Sequence, residues 1–369
     1  MRTWVPFRVV GAFLIAVAAL SAFSAAASHP AGRWTASPIP NPGGSSELLG
    51  VSCPTSTFCA AAGTTYFGSS GHTYLPVIEI WRGHGWTVAV TPRVKRAQTA
   101  LVAVSCQSAS FCVAVGQQVH EEVTSPLTEV WNGRRWTVSA TPPGTRGASF
   151  AGVSCPSPKL CLAVGNSPKR SWVETWNGSA WTVVPTPRAL EVNPGLAGVS
   201  CPTPTFCAVA GGVAESNAGV AFWQDRVWTV TPVVDAADVG FASVSCSSPE
   251  FCIATGADQT NDTVAERWNG TAWAMLAPKN VGATFGDTLS AVSCRSATFC
   301  MAAGSFSGDD FSNGMVQHWN GHNWSFSLVT QGPEGQTGLA GVSCASVRFC
   351  ITVGNNGHAM AKRYSAGPS

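Results

Sequence analysis

VSCQSASFCVAVG at residues 104–116, followed by WNGRRWTVSATP at residues 131–142, decides the fold, because both halves return along the chain. The first half, V-S-C-x5-C-x3-G, occurs seven times, with successive copies starting 45 to 53 residues apart. Its cysteine pairs are Cys53/Cys59, Cys106/Cys112, Cys155/Cys161, Cys201/Cys207, Cys246/Cys252, Cys294/Cys300 and Cys344/Cys350, which together use all 14 cysteines. The second half places two tryptophans around a turn: Trp81/Trp86, Trp131/Trp136, Trp176/Trp181, Trp223/Trp228, Trp268/Trp273 and Trp319/Trp324. That is six pairs for seven cysteine units. Tyr364 stands where the seventh unit needs its first Trp, and the missing partner lies at the other end of the chain, as Trp34 in GRWTASP.

Each unit reads as four short strands. Strand a carries V-S-C, strand b carries F-C-x-x-x-G, strand c ends at the first Trp and strand d begins at the second. Val, Thr, Trp and Phe fill these segments while Gly, Pro, Asn and Ser bound them, and no stretch sustains a helical period. Units of this length with four strands predict an all-β, seven-bladed propeller of four-stranded blades. The split unit predicts a ring closed by the N-terminal strand, which removes the exposed sheet edges. An open β-solenoid would not need its last unit completed by its first strand.

Ahead of the repeats, Arg2 and Arg8 precede an apolar run over residues 9–20 and the small residues Ala25, Ala26 and Ala27. This is the pattern of a secretory signal cut after Ala27, too short to span a bilayer as an anchor. The expected organisation is therefore a signal peptide over 1–27 and the propeller over 28–369, secreted or held at the extracytoplasmic cell surface as a monomer. Net charge is +2 with 11% charged residues, which argues against nucleic acid or an anionic membrane as a partner.

Repetition separates scaffold from site. Each cysteine pair is alone in its unit, whereas zinc sites close four ligands on one ion, so an exported chain of this kind predicts one disulfide per blade and no metal. The serines before the first cysteines, from Ser52 to Ser343, recur in every unit and so read as hydrogen-bonding residues of the inner strands. The Trp pairs read as cross-strand pairs at the outer edge of each blade. Glu79, Glu129, Glu174 and Glu266 recur two residues before the first Trp, either bonding a neighbouring hairpin or forming repeated sugar sites between blades.

Two propeller families resemble the W-N-G-x-x-W hairpin. One is the Asp-box turn of sialidases, S-x-D-x-G-x-T-W; aligned on Gly270 and Trp273, its Asp falls on Trp268 and its Ser on Glu266. Sialidase chemistry would further need a Tyr nucleophile, and the chain has only Tyr66, Tyr74 and Tyr364. The segment V-x-E-x-W-N-G-x-x-W also resembles the repeat of the fucose-binding propeller lectins. Glu129 and Trp131 would match the inter-blade sugar sites of that family, without its repeated Arg. The repeat as a whole is similar to that of uncharacterised exported bacterial propellers.

No catalytic motif stands outside the repeat. The histidines share no spacing, and the acidic loop residues Glu121, Glu122, Asp235, Asp238, Asp309 and Asp310 read as solvated. Asp258, Asn261 and Asp262 could ligate calcium through oxygen but lack the spacing of a known loop. A propeller puts the a–b and c–d turns on one face and the b–c and d–a connections on the other. The first face repeats in every blade, and the second varies in length and chemistry. Ligand contacts concentrate on variable loops held by a rigid scaffold, so the expected site residues are Tyr66, His72, Tyr74, His120, Glu121, Glu122, Trp172, Asp309 and Asp310. The expected function is an exported binding or scaffold module that recognises a glycan or a cell-surface protein, with no cofactor. A glycoside hydrolase and a purely structural surface protein are the alternatives.

Overall fold

The computed structural model describes residues 32–40, 45–67, 73–142, 146–191, 195–212, 218–231, 233, 239–281, 286–308, 311–330 and 337–367. The expected signal segment lies outside them. Seven antiparallel four-stranded sheets form the blades of a propeller. Six are built from consecutive strands; blade 1, for example, runs Ser45–Thr55, Phe58–Phe67, Thr73–Trp81 and Trp86–Val88. In the seventh, Gly32–Ala36 pairs with Ala359–Ala366 and supplies the outermost strand. Trp34 sits opposite Tyr364, with ring centroids 5.5 Å apart, in the place of a Trp pair. The ring is closed by the N-terminal strand.

Every cysteine is bonded within its own blade, between strands a and b, and each pairing is the one that the spacing predicts. Cys53 is joined to Cys59, Cys106 to Cys112, Cys155 to Cys161 and Cys201 to Cys207. Cys246 is joined to Cys252, Cys294 to Cys300 and Cys344 to Cys350. The Cα separations are 3.9 to 4.1 Å. The strand-b partners Cys59, Cys112, Cys161, Cys207, Cys252, Cys300 and Cys350 are all 0% exposed. These fourteen residues are therefore scaffold: their sulfurs are spent on one another inside the blades and offer nothing to a ligand or a metal.

The serine before each first cysteine binds the next blade. Ser52 Oγ accepts from the Cys106 amide at 2.9 Å, Ser105 from Cys155, Ser154 from Cys201, Ser200 from Cys246, Ser245 from Cys294 and Ser293 from Cys344. Ser343 accepts from Cys53 at 2.9 Å and completes the circle. Seven equivalent bonds therefore tie the inner halves of the blades.

Between blades the core is apolar. Phe58, Ala60, Ile78 and Ile80 of blade 1 pack against Leu101, Val104, Leu127 and Trp131 of blade 2. Across the closure, Ile351, Val353 and Ala361 pack against Leu48, Ala61 and Trp81. The Gly that ends each C-x3-G allows strand b to approach strand a closely: a Cβ on Gly116 would collide with the Ala100 carbonyl. At the outer edge, Trp131 and Trp136 are opposite each other with centroids 5.6 Å apart. In the turn between them, Asn132 Oδ1 accepts from the amides of Arg134 and Arg135, and Gly133 takes a φ of 90°. One helical turn, Arg188–Glu191, interrupts the all-β pattern in the connection from blade 3 to blade 4.

Candidate ligand-binding site on the loop face

The two faces differ as their turns do. On the hairpin face the first Trp of a blade donates its indole N–H to the a–b turn: Trp81 to Ser56 O, Trp131 to Ala109 O, Trp176 to Pro158 O, Trp268 to Pro249 O and Trp319 to Ala297 O, all at 3.0 to 3.2 Å. This face is laced together by its own side chains. Blade 4 departs from the rule. Trp223 is buried, and its indole N–H has no partner among the described residues. Its ring lies 6.4 Å from Trp228, and a cleft of about 870 Å³ opens there between blades 3 and 4.

On the loop face the expected residues sit at the ends of separate blades. Tyr66 and Tyr74 pair across the b–c end of blade 1, with centroids 6.2 Å apart, and Tyr66 donates to Glu47 Oε1 at 2.6 Å. Burial and the Glu47 carboxylate push the Tyr66 phenol up to about 12. Glu121 and Glu122 form the two-residue turn of blade 2, both at positive φ and exposed, beside exposed His120. His72, Asp309 and Asp310 lie outside the described residues.

Trp172 is different. It is the second residue of strand c of blade 3, Ser171–Trp176, is only 5% exposed, and meets Phe150 edge-on at 4.5 Å. Its indole N–H has no hydrogen-bond partner among the described residues. Trp136, Trp181, Trp223 and Trp324 bury their indole N–H groups in the same way, so the orphaned donor does not by itself mark a ligand site. Trp172 lines a pocket of about 390 Å³ together with Arg146, Lys169, Arg170, Ser167 and Pro168.

The loop that carries these cations is fixed. Ser167 Oγ donates to the Arg170 carbonyl and accepts from the Arg170 amide, which closes the turn 167–170. Asn166 accepts from the Leu196 amide and donates to the Leu196 carbonyl, bracing the turn against blade 4. From the other side, the Gly147 amide bonds the Thr124 carbonyl and holds the connection that bears Arg146. Gly147 takes a φ of 76°, in the region that favours glycine. Arg146, Lys169 and Arg170 are all exposed at the mouth, and no carboxylate lines the pocket among the described residues.

Tyr66, Tyr74, His120, Glu121 and Glu122 do not line this pocket. The cations Arg146, Lys169 and Arg170 were not among the expected site residues. Their signal is present in the sequence as S-P-K-R inside the variable b–c segment of blade 3. A low total charge masks such a local concentration.

Glu79, Glu129, Glu174 and Glu266 are all 0% exposed, in the packing between blades. Each lies on the strand-c side that carries the first Trp, the side turned to the preceding blade, as for Trp131 against blade 1. Burial pushes the carboxyls of Glu79, Glu129 and Glu174 up to about 8. In this structure they offer a ligand no surface. Asp258, in an acidic loop of blade 5, is engaged locally: its Oδ1 accepts from the amides of Thr260 and Asp262 and from the Thr260 hydroxyl. Among the described residues no three His, Cys, Asp or Glu side chains gather as a metal site.

No protein-family profile and no curated protein sequence matches the chain. Solved structures do. YCF48 from Cyanidioschyzon merolae superposes with a TM-score of 0.58 at 14% identity, over 90% of this chain and 98% of that one. YCF48 bound to D1 peptide gives 0.59 at 12% identity, over 91% and 95%. The GH74 xyloglucanase from Xanthomonas campestris gives 0.61 at 13% identity; the match covers 90% of this chain and 53% of the xyloglucanase. Sqt1 from Chaetomium thermophilum, bound to the N-terminus of ribosomal protein L10, gives 0.54 at 12%, over 90% and 99%. These likenesses show the fold alone.

Proposed function

We propose that the protein is an exported, non-catalytic binding module whose ligand is held on the loop face, at the Trp172 pocket of blade 3. The convergence of the exposed cations Arg146, Lys169 and Arg170 on a pocket whose loops are fixed by hydrogen bonds carries this reading. Such a pocket is preorganised, so little conformational entropy is lost on binding. A glycoside hydrolase needs two carboxyl groups facing the scissile bond, about 5–9 Å apart. This pocket is lined instead by three cations and no carboxylate. Seven disulfides fit an oxidising, extracytoplasmic setting. No helix among the described residues is long and apolar enough to cross a membrane.

Among the structural neighbours, YCF48 is bound to a peptide and Sqt1 to the end of a ribosomal protein, while the xyloglucanase is a glycoside hydrolase. They support a propeller used for recognition and leave glycan and protein ligands both open. The test is a glycan array probed with the full mature chain and with Lys169→Ala plus Arg170→Ala, which removes two exposed charges at the pocket mouth. The variant should lose about tenfold in affinity for the retained glycan while melting at the same temperature. Equal binding by both proteins would remove the pocket from the account.

A further inference from the structure

The chemistry of this face narrows the ligand further, given that the Trp172 pocket is the binding site. The charged groups at that pocket are all donors: the guanidinium groups of Arg146 and Arg170, and the ammonium of Lys169. A peptide backbone brings as many N–H donors as carbonyl acceptors, and its donors would meet cations here. An acidic polysaccharide brings mostly acceptors, in its carboxylates, ring oxygens and glycosidic oxygens. The surroundings select an acceptor-rich anion.

A second basic pocket lies one blade away. Residues 89–97 connect blade 1 to blade 2 on the same face, and with Leu75, Pro76 and Thr99 they line a pocket of about 550 Å³. Arg93, Lys95 and Arg96 are exposed at its edge. Arg93 and Arg146 thus stand on successive d–a connections, before and after blade 2. In sequence, the connection from blade 4 to blade 5 reverses the sign, carrying Asp235 and Asp238 and no cation. The net charge of +2 therefore hides a basic arc over blades 1 to 3. A ligand with a single charge would use one pocket, whereas two basic pockets at blade spacing match a chain that repeats its charge.

We propose that the loop face binds a carboxylated glycan, laid as one chain from the Trp172 pocket of blade 3 to the basic pocket at the junction of blades 1 and 2. The Glu121–Glu122 turn lies on the blade between them and opposes such a chain, so Glu121→Gln with Glu122→Gln should tighten binding.

The test is titration calorimetry on the full mature chain with oligogalacturonate, oligoglucuronate and sialate-containing oligomers. The comparison probes are carboxyl-reduced oligogalacturonate, a uronate dimer and poly-glutamate. At least one carboxylated oligomer should bind, weakening about tenfold or more between about 50 and 500 mM salt, because exposed charge pairs are screened. Lys169→Ala with Arg170→Ala should cost about tenfold or more for every bound length. Arg93→Ala with Lys95→Ala and Arg96→Ala should weaken the longer oligomer and leave the dimer unchanged. All five cations are exposed, so the melting temperature of each variant should equal that of the parent. Binding of the reduced oligomer or of poly-glutamate as tightly as the uronate chain would overturn the inference, as would failure of every carboxylated oligomer. A neutral glycan lost on Lys169→Ala with Arg170→Ala would preserve the pocket as the site and reject the anionic ligand. If no ligand responds to Lys169→Ala with Arg170→Ala, the site itself is rejected.

Discussion

Glu129 and Gln317 occupy the same place in their blades, two residues before the first Trp, and show what that place requires. Gln317 bonds the preceding blade through both ends of its amide: Nε2 donates to the Lys279 carbonyl, and Oε1 accepts from the Lys279 amide, each at 2.8 Å. Glu129 is equally buried, and neither of its carboxyl oxygens has a hydrogen-bond partner among the described residues. Burial holds its pKa at about 8, against an unfolded value near the usual ~4.3. Between those two values the folded chain binds more protons than the unfolded one, so stability falls as pH rises. The contribution is complete below the unfolded pKa and lost once pH has passed the folded one; Glu79 and Glu174 act in the same direction. Thermal melts from pH 4 to 9 should thus show a steady loss of stability toward alkaline pH. Glu129→Gln should flatten that slope and add about 2 kcal/mol at pH 8 or above. A variant that melts in parallel with the parent at every pH would show that Glu129 does not titrate as argued. The recurrence of these residues was visible in the sequence. Their complete burial was not, since an acid beside an aromatic reads equally as a surface sugar contact.

At the scale of elements, the strand Gly32–Ala36 has the largest consequence for its size. It pairs residue for residue with Lys362 to Ala366 and covers what would be the free edge of blade 7. Deleting residues 28–38 should lower the melting temperature by several degrees, since several kcal/mol are lost and each 1 kcal/mol moves a chain this long by roughly 1–2 °C. Aggregation through the exposed edge should follow, and equal stability of the truncated chain would contradict closure by this strand. The disulfides belong to the same scale. In the chain-entropy account a loop this short contributes only about 2 kcal/mol, yet all seven cross-links, from Cys53–Cys59 to Cys344–Cys350, hold the inner hairpins that carry the serine circle. Alkylation before reduction should add no mass to the purified chain, and each C-x5-C should be released as a single looped peptide. A bridge between blades would show a different pairing. These elements were legible because repetition averages over local exceptions; the b–c turn of blade 3 occurs once, so no comparison along the chain marked Lys169 and Arg170.

The whole molecule divides its labour between faces. On the hairpin side, five first tryptophans spend their indole donors on neighbouring turns. On the loop side, Arg146, Lys169 and Arg170 stand exposed around the Trp172 pocket, on turns that are fixed by hydrogen bonds. The sequence made the two faces distinguishable through what varies between units. Which variable loops form a pocket depends on contacts between blades, such as Asn166 with Leu196, that no single unit contains. The cleft beside Trp223 sets the competing placement, since it is larger and also holds an orphaned indole. Amide hydrogen exchange, followed by mass spectrometry with and without the glycan that binds most tightly, distinguishes the two directly. The account predicts slowed exchange in residues 146–148 and 166–172, with the hairpin turns unchanged. Protection confined to residues 203–206 and 223–228 would place the ligand in the blade 3–4 cleft and contradict a site on the loop face.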